Sequence, residues 1–269
     1  TGAVPVFADC TPDTWQVDPV SIKKNISSRT RLVVGVHLYG QPCNVDEIKE
    51  ICAQNGLIFL EDAAQAHGAH YKNIRVGTFG EMACFSFYPG KNLGACGEAG
   101  AIVTNTEKYD ARLRSLRNHG SQVRYYHDEL GYNMRMSGFE AASLHVKLQY
   151  LESWNERRRE IASIYQAEIH NSKITFQFQP LWAASVYHLF VITTENRNEL
   201  IKYLNEFNIY PGLHYPVPCH LQKVYSALNY KEGDCPNAEY LASHCLSLPM
   251  YAELEDEQLD FIIDLLNQY

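Results

Sequence analysis

No stretch of the sequence approaches the roughly eighteen apolar residues that a bilayer-spanning helix requires, and no charged-then-apolar leader opens it. The reading is a soluble protein with no membrane partner. Cysteine pairing signals are missing too. The eight cysteines show no CxxC spacing and no Cys/His cluster of zinc-finger type. Several, Cys52 and Cys84 among them, fall inside apolar periodic segments where a free thiol acts as a small hydrophobe. That pattern predicts a reducing cytoplasm and neither a disulfide framework nor a structural metal. Basic charge is short as well, with 23 Lys and Arg against 31 Asp and Glu, a net of -8. A nucleic acid is therefore a poor partner, although one local basic pocket for a small phosphorylated ligand stays open. Internal repeats and low-complexity linkers are also absent.

What remains is an ordinary globular composition, 46% hydrophobic and 20% charged over 269 residues. The first half alternates strand and helix signals. Thr1 to Phe7 is strand-like, as if the chain began in the middle of a fold. Arg31–Val36 is a β-branched run. Asn44 with Glu47 resembles a capping box, Val45, Ile48, Ile51 and Cys52 share one helical face, and Gly56 supplies the stop. Leu57–Leu60 ends in Glu61-Asp62, Met82–Tyr88 and Ala99–Thr104 are further strands, and Glu107–His119 is a helix closed by Gly120. From Ser137, the spacing of Leu144, Leu148, Leu151, Trp154, Ile161 and Tyr165 predicts one long helix to about residue 169. Arg157-Arg158-Arg159 within it reads as a solvated face. Strands near Ile174–Phe178 and Val186–Thr193, a helix near Asn198–Phe207 and two C-terminal helices complete a smaller unit. The division predicted is residues 1–150 and 151–269.

Continuous apolar strands between amphipathic helices indicate an α/β fold whose sheet is largely parallel and covered on both faces. Ligands of such sheets sit beyond the carboxyl ends of the strands. That rule places His37–Tyr39, Asp62 and the Pro89–Lys91 turn along one rim. A lysine in a turn ordinarily faces water, and Asp62 alone serves equally well as a cap for the next turn. Together, with the small Ala63 and Ala64 leaving space for something flat, a lysine and a carboxylate are what pyridoxal 5'-phosphate (PLP) requires. The amine binds the cofactor aldehyde and the carboxylate keeps the pyridine nitrogen protonated.

Six motifs in order, EDAAQAHGA, FSFYPGKNLGA, CGEAGAIVT, RNHG, GYNMRMS and HYPVPCH, resemble the DegT/DnrJ/EryC1/StrS family of PLP-dependent sugar aminotransferases over essentially the whole chain. The resemblance implies the aspartate aminotransferase type of fold (PLP fold type I), with a large PLP-binding domain and a smaller C-terminal domain. It implies that Lys91 is the Schiff-base lysine and Asp62 the partner of the pyridine nitrogen. Gln65 would bond the ring's phenolic oxygen, Ala64 would pack on the ring face and Ser86 would donate to the phosphate. Asn133 would reach that phosphate from the second subunit of a homodimer. Read by themselves, Ser86 is an ordinary strand residue, Asn133 a turn residue and His67 a local hydrogen-bonding group. His214, Tyr215 and His220 lie in the loop that the family brings to its substrate.

The activity implied is transfer of an amino group, from glutamate as donor, to a nucleotide-linked keto-sugar. FYPGKNLGA most resembles the branch acting at C3, rather than C4, of dTDP-3-keto-6-deoxyhexoses. Relatives that replace the lysine by histidine dehydrate sugars instead, and Lys91 argues against that here. The family normally carries a longer stretch before the equivalent of Thr1, with a Gly-Thr or Gly-Ser turn at a helix N-terminus for the cofactor phosphate. This implies either part of a longer chain or a non-catalytic, regulatory remnant of the fold. A metal hydrolase built on Asp62, His67 and His70 is a further alternative, which requires the three to converge on one ion.

Overall fold

The computed structural model describes residues 1–269. Helix α1 (Pro19–Asn25) starts on Asp18, whose carboxylate accepts the Val20 N–H. Strand β1 (Leu32–Val36) leads into α2 (Val45–Asn55). Asn44 accepts the Glu47 N–H at the start of α2, and Gly56 ends it at φ 62°, a left-handed conformation that glycine adopts without a Cβ clash. Then follow β2 (Ile58–Asp62), the short pair β3 (His70–Tyr71) and β4 (Ile74–Arg75), β5 (Met82–Ser86), β6 (Gly100–Val103) and α3 (Glu107–Arg117).

The main sheet has the order β1-β2-β5-β6, with the first three strands parallel and β6 antiparallel to β5. One face is buried by α2, where Val45, Ile48, Ile51 and Cys52 meet Val33 and Phe59. Register puts Leu32, Val34, Ile58 and Ile102 on the other face, and all four are exposed. Asp62 shares that second face, because it pairs with Cys84, which in turn pairs with Ile102.

Two long-range features differ from the sequence reading. Thr1 to Phe7 forms no strand. Val4 and Val6 are exposed, and the Phe7 N–H is taken by the Tyr230 hydroxyl instead of a neighbouring strand. A strand needs a ladder for its backbone groups, and no edge lies alongside this one. The long helix is two helices, α4 (Gly138–Leu148) and α5 (Leu151–Glu168). Ser137 caps the first as predicted, through the Glu140 N–H. At Gln149 and Tyr150 the N–H groups turn to the carbonyls three residues back, at Val146 and Lys147. Apolar spacing fits one helix or two equally, since nothing as visible as proline marks the break.

Beyond α5 come β7 (Thr175–Phe176), β8 (Ala183–Ala184), β9 (Phe190–Thr193), α6 (Arg197–Glu206), α7 (Pro236–His244), β10 (Cys245–Leu248) and α8 (Asp256–Gln268). An antiparallel sheet β10-β9-β7 sits in a core of 19 buried residues drawn from α5, α6, α8 and the strands between them. Strand β10 follows α7 without a break, so the sequence offers no turn signal for it. Among the contacts that return this part to the first, β8 pairs with β3, and Val191, Leu241 and Cys245 pack with Trp15 and Tyr39. The arginine triplet is also not uniformly solvated. Arg157 and Arg159 pair with Glu160 and Glu152, but Arg158 is buried and donates to the carbonyls of Tyr187 and Met250 at 3.0 and 2.9 Å. No helix is long and apolar enough to cross a membrane.

Candidate active site

Strands β2 and β5 are parallel neighbours, so their carboxyl ends deliver Asp62 and Ser86 to one rim. Side chains alternate along a strand, and Ser86 lies two residues after Cys84, the partner of Asp62, so both face the same side. The turn after β5 closes when the Lys91 N–H reaches the Tyr88 carbonyl at 2.9 Å. It aims Lys91 at the same rim. Burial lowers the Lys91 ammonium below its ordinary pKa, and the nearby Asp62 carboxylate opposes that. The amine makes no hydrogen bond or ion pair within the chain. Asp62 accepts the Ala64 N–H at 3.0 Å through one oxygen. Its other oxygen has no partner in the chain.

The next residue anchors the turn. Asn92 is buried and donates to Asn155 Oδ1 and the Val186 carbonyl, both at 2.9 Å, while its own oxygen lies 3.1 Å from His188 Nδ1. An amide oxygen accepts only, so His188 carries its proton on Nδ1. Asn155 in turn donates to the His67 carbonyl at 2.8 Å. Three imidazoles feel the Lys91 charge. Burial first and Lys91 second lower His67 to about 4, lower His214, and together with Arg158, His67 and His214 lower His188 to about 3. For His67 the Ser86 backbone opposes the shift, yet neither ring nitrogen finds a hydrogen-bond partner of proper geometry. The ring lies between Phe85 and Phe87.

Gln65 is held at both ends. Its Oε1 accepts the Tyr39 N–H at 2.7 Å and its Nε2 donates to the Tyr215 hydroxyl at 3.0 Å. The Tyr39 hydroxyl donates to the His214 carbonyl at 2.6 Å, and His214 Nδ1 lies 2.8 Å from Ser247 Oγ. Thus Asp62, Ala64, Gln65, Ser86 and Lys91 gather with His214 and Tyr215, which are more than a hundred residues away in the chain. Tyr39 stood on the rim expected from the sequence, but Asn92 and His188 went unnoticed there. The unusual buried amide beside the lysine was the one available signal.

Two expected positions, His37 and His220, lie elsewhere. His37 is wholly buried beneath the rim, receiving the Cys43 N–H on Nδ1 and meeting Glu61 Oε2 at 3.0 Å. Glu61 also accepts N–H groups from Gly77, Phe79 and Gly80. This pair braces a loop and is not part of the rim. His220 is buried against Glu239 at 2.9 Å, in the group that also holds the Gly233 and Cys235 N–H. Asn133 lies exposed on the segment after α3, in a single bridge with Asn118. Asp62, His67 and His70 do not converge, and no three His, Cys, Asp or Glu side chains form a metal-holding group.

Residues 1–267 match the DegT/DnrJ/EryC1/StrS aminotransferase family. The chain belongs to that family. This aminotransferase is 41% identical to the dTDP-3-amino-3,4,6-trideoxy-alpha-D-glucose transaminase of Streptomyces venezuelae over 272 residues, covering 100% of this chain and 71% of that protein. It is 40% identical to the pleiotropic regulatory protein of Geobacillus stearothermophilus over 271 residues, 100% of this chain and 73% of that one. The crystal structure of S. venezuelae DesV superimposes with a TM-score of 0.97 at 41% identity, covering 100% of this chain and 72% of that one. The fold is therefore that of PLP-dependent aminotransferases, and the enzyme is one of them. The donor set fits the cofactor: an unpaired amine, a carboxylate with a free oxygen, an amide whose NH₂ keeps a second N–H beyond the one given to Tyr215, and a hydroxyl on the same face as the carboxylate.

Proposed function

We propose that this aminotransferase moves an amino group from an amino-acid donor, glutamate, to C3 of a nucleotide-linked keto-sugar of the dTDP-3-keto-6-deoxyhexose class. The observation that carries the reading is Lys91, an unpaired amine lowered by burial at the rim shared with Asp62. The similarity to the S. venezuelae transaminase supports the choice of substrate class and of C3. When bound, PLP supplies an electron sink for the carbon that carries the amine.

This chain's residues do the rest. Lys91 would hold the cofactor through its amine, and its lowered pKa suits it to take a proton from the substrate carbon and return it one position away. The Asp62 carboxylate would hold the proton of the pyridine nitrogen. Gln65 would donate to the phenolic oxygen, Ala64 would pack on the ring face and Ser86 would donate to the phosphate. Asn133 reaches that phosphate from a second copy of the chain, which makes the working unit a homodimer with shared sites. His214 and Tyr215 face the substrate, and His220 holds their loop through Glu239. Residues 1–150 form the cofactor-binding domain and 151–269 the smaller one, in a cytoplasmic protein.

A non-catalytic regulatory role of the same fold is the second reading, favoured by the name of the G. stearothermophilus relative. One experiment separates the two. Purified protein with PLP should absorb in the visible as an imine and turn over one of a panel of dTDP- and UDP-keto-sugars, while Lys91→Ala should lose both properties. Full transaminase activity in Lys91→Ala sinks the catalytic assignment. An imine band without turnover on any sugar favours the regulatory role.

A further inference from the structure

Tyr39 adopts φ 63° and ψ 5°, a left-handed conformation that bulky residues rarely take. Such strain survives only where the surroundings impose it. Here they do so on three sides. The ring is 3% exposed, packed with Trp15, Val191, Leu241 and Cys245. The Tyr39 carbonyl accepts the Leu189 N–H at 3.3 Å, and the Gly40 carbonyl accepts the Val186 N–H at 3.1 Å. Gly40 is itself left-handed at φ 97°, and a Cβ there would stand 2.9 Å from the His188 backbone nitrogen. The turn is thus pressed against the segment that carries His188.

The strained conformation gives one residue two contacts pointing in different directions. Its N–H sets the Gln65 amide through Oε1 at 2.7 Å, and its hydroxyl, at the far end of the buried ring, holds the His214 carbonyl at 2.6 Å. Gln65 and Tyr215 close the circuit at 3.0 Å. With Oε1 occupied by a backbone donor, only the NH₂ end of Gln65 is left to face the rim.

We propose that Tyr39 is a positioning residue that sets the Gln65 amide and the His214–Tyr215 loop relative to each other, so one buried residue, through its backbone N–H and its hydroxyl, aligns the cofactor-facing donor with the substrate-facing loop. The substrate half of this inference rests on the function proposed above. Tyr39 touches neither reacting group. Losing its hydroxyl leaves the N–H contact to Gln65 intact and removes one anchor of the loop, which His214 Nδ1 still ties to Ser247 Oγ, so the two halves of the site should respond differently.

The test uses Tyr39→Phe, Tyr215→Phe and the double variant of the chain. Without cofactor, hydrogen exchange of residues 213–217 should quicken about fivefold in Tyr39→Phe, the size expected from one net hydrogen bond. PLP affinity, read by absorbance titration, should stay within about twofold of the parent, while KM for the keto-sugar rises about fivefold and kcat changes less. In the double variant the two KM effects should not multiply, because both act on one loop position. Unchanged exchange in Tyr39→Phe, or KM effects that multiply fully, overturns the proposal. If the parent turns over no keto-sugar, the proposed substrate fails, and the exchange measurement still decides whether Tyr39 holds the loop.

Discussion

Asn92, the residue after Lys91, donates to Asn155 Oδ1 at 2.9 Å and so ties the lysine's turn to helix α5. Both amides are buried, and between them they join the Val186 carbonyl, His188 Nδ1 and the His67 carbonyl. A lysine at the tip of a turn has many rotamers and a mobile backbone. Here the side chain of the next residue, Asn92, is held by Asn155, Val186 and His188 from the other half of the chain.

Replacing Asn92 by alanine leaves Asn155, the Val186 carbonyl and His188 short of partners inside the protein. Unmet buried groups cost about 1–3 kcal/mol each, with partial relief by water, so Asn92→Ala should lower stability by about 2–4 kcal/mol in chemical denaturation. Asn155→Ala should do similar damage, and the pair should cost less than the sum. A loss below about 0.5 kcal/mol would mean that the network does not anchor the turn.

The buried imidazoles give stability a sign with pH. His67 and His188 sit at about 4 and about 3 in the folded chain, below the ordinary 6.5, chiefly through burial and then through Lys91. Below 6.5 the unfolded chain binds protons that the folded one refuses. Stability is therefore full above about pH 6.5 and is lost as pH falls towards 4. His67 has no hydrogen-bond partner to lose. His67→Leu should flatten part of this decline, which denaturant midpoints between pH 7.5 and 5 would register. An equally steep decline in the variant would locate the acid sensitivity elsewhere.

Glu61 accepts four donors while fully buried. Burial alone would raise its pKa, but the hydrogen bonds from His37, Gly77 and Gly80 bring it below the ordinary carboxylate value. Glu61→Gln puts an NH₂ against N–H donors and should cost about 3 kcal/mol. The thermal midpoint should drop by several degrees, and a shift near zero would show that the loop at 77–80 does not depend on the carboxylate.

Asn133 is exposed, with only Asn118 bridged to it. If it serves the site of a second copy, Lys91→Ala and Asn133→Ala proteins, each weak alone, should complement when unfolded together and refolded. Random pairing puts one intact site in half of the dimers, so recovery should approach about a quarter of the parent's specific activity. No recovery would place Asn133 in its own chain's site or outside any site.

The short-range features of this protein are legible in its sequence. Asn44 and Gly56 bound α2, Ser137 starts α4, and a parallel-sheet alternation brings Asp62 and Lys91 to one rim. Each depends on contacts within a few residues, or on a rule of strand direction that needs no knowledge of distant partners. Histidines were harder to read. His37, His67, His188, His214 and His220 look alike in the sequence, and their places differ because of what stands opposite: Glu61, two phenylalanine rings, Asn92, Ser247 and Glu239.

The same holds for Arg158 against its neighbours in the arginine triplet, and for Tyr39, an aromatic after a strand whose strained backbone shows only once Gln65, His214 and Leu189 surround it. Local sterics and backbone hydrogen bonding determine where elements start, stop and point, and a sequence states those directly. Whether a polar side chain braces the core or faces a ligand depends on burial and on partners up to about two hundred residues away, and only the packed tertiary structure decides that.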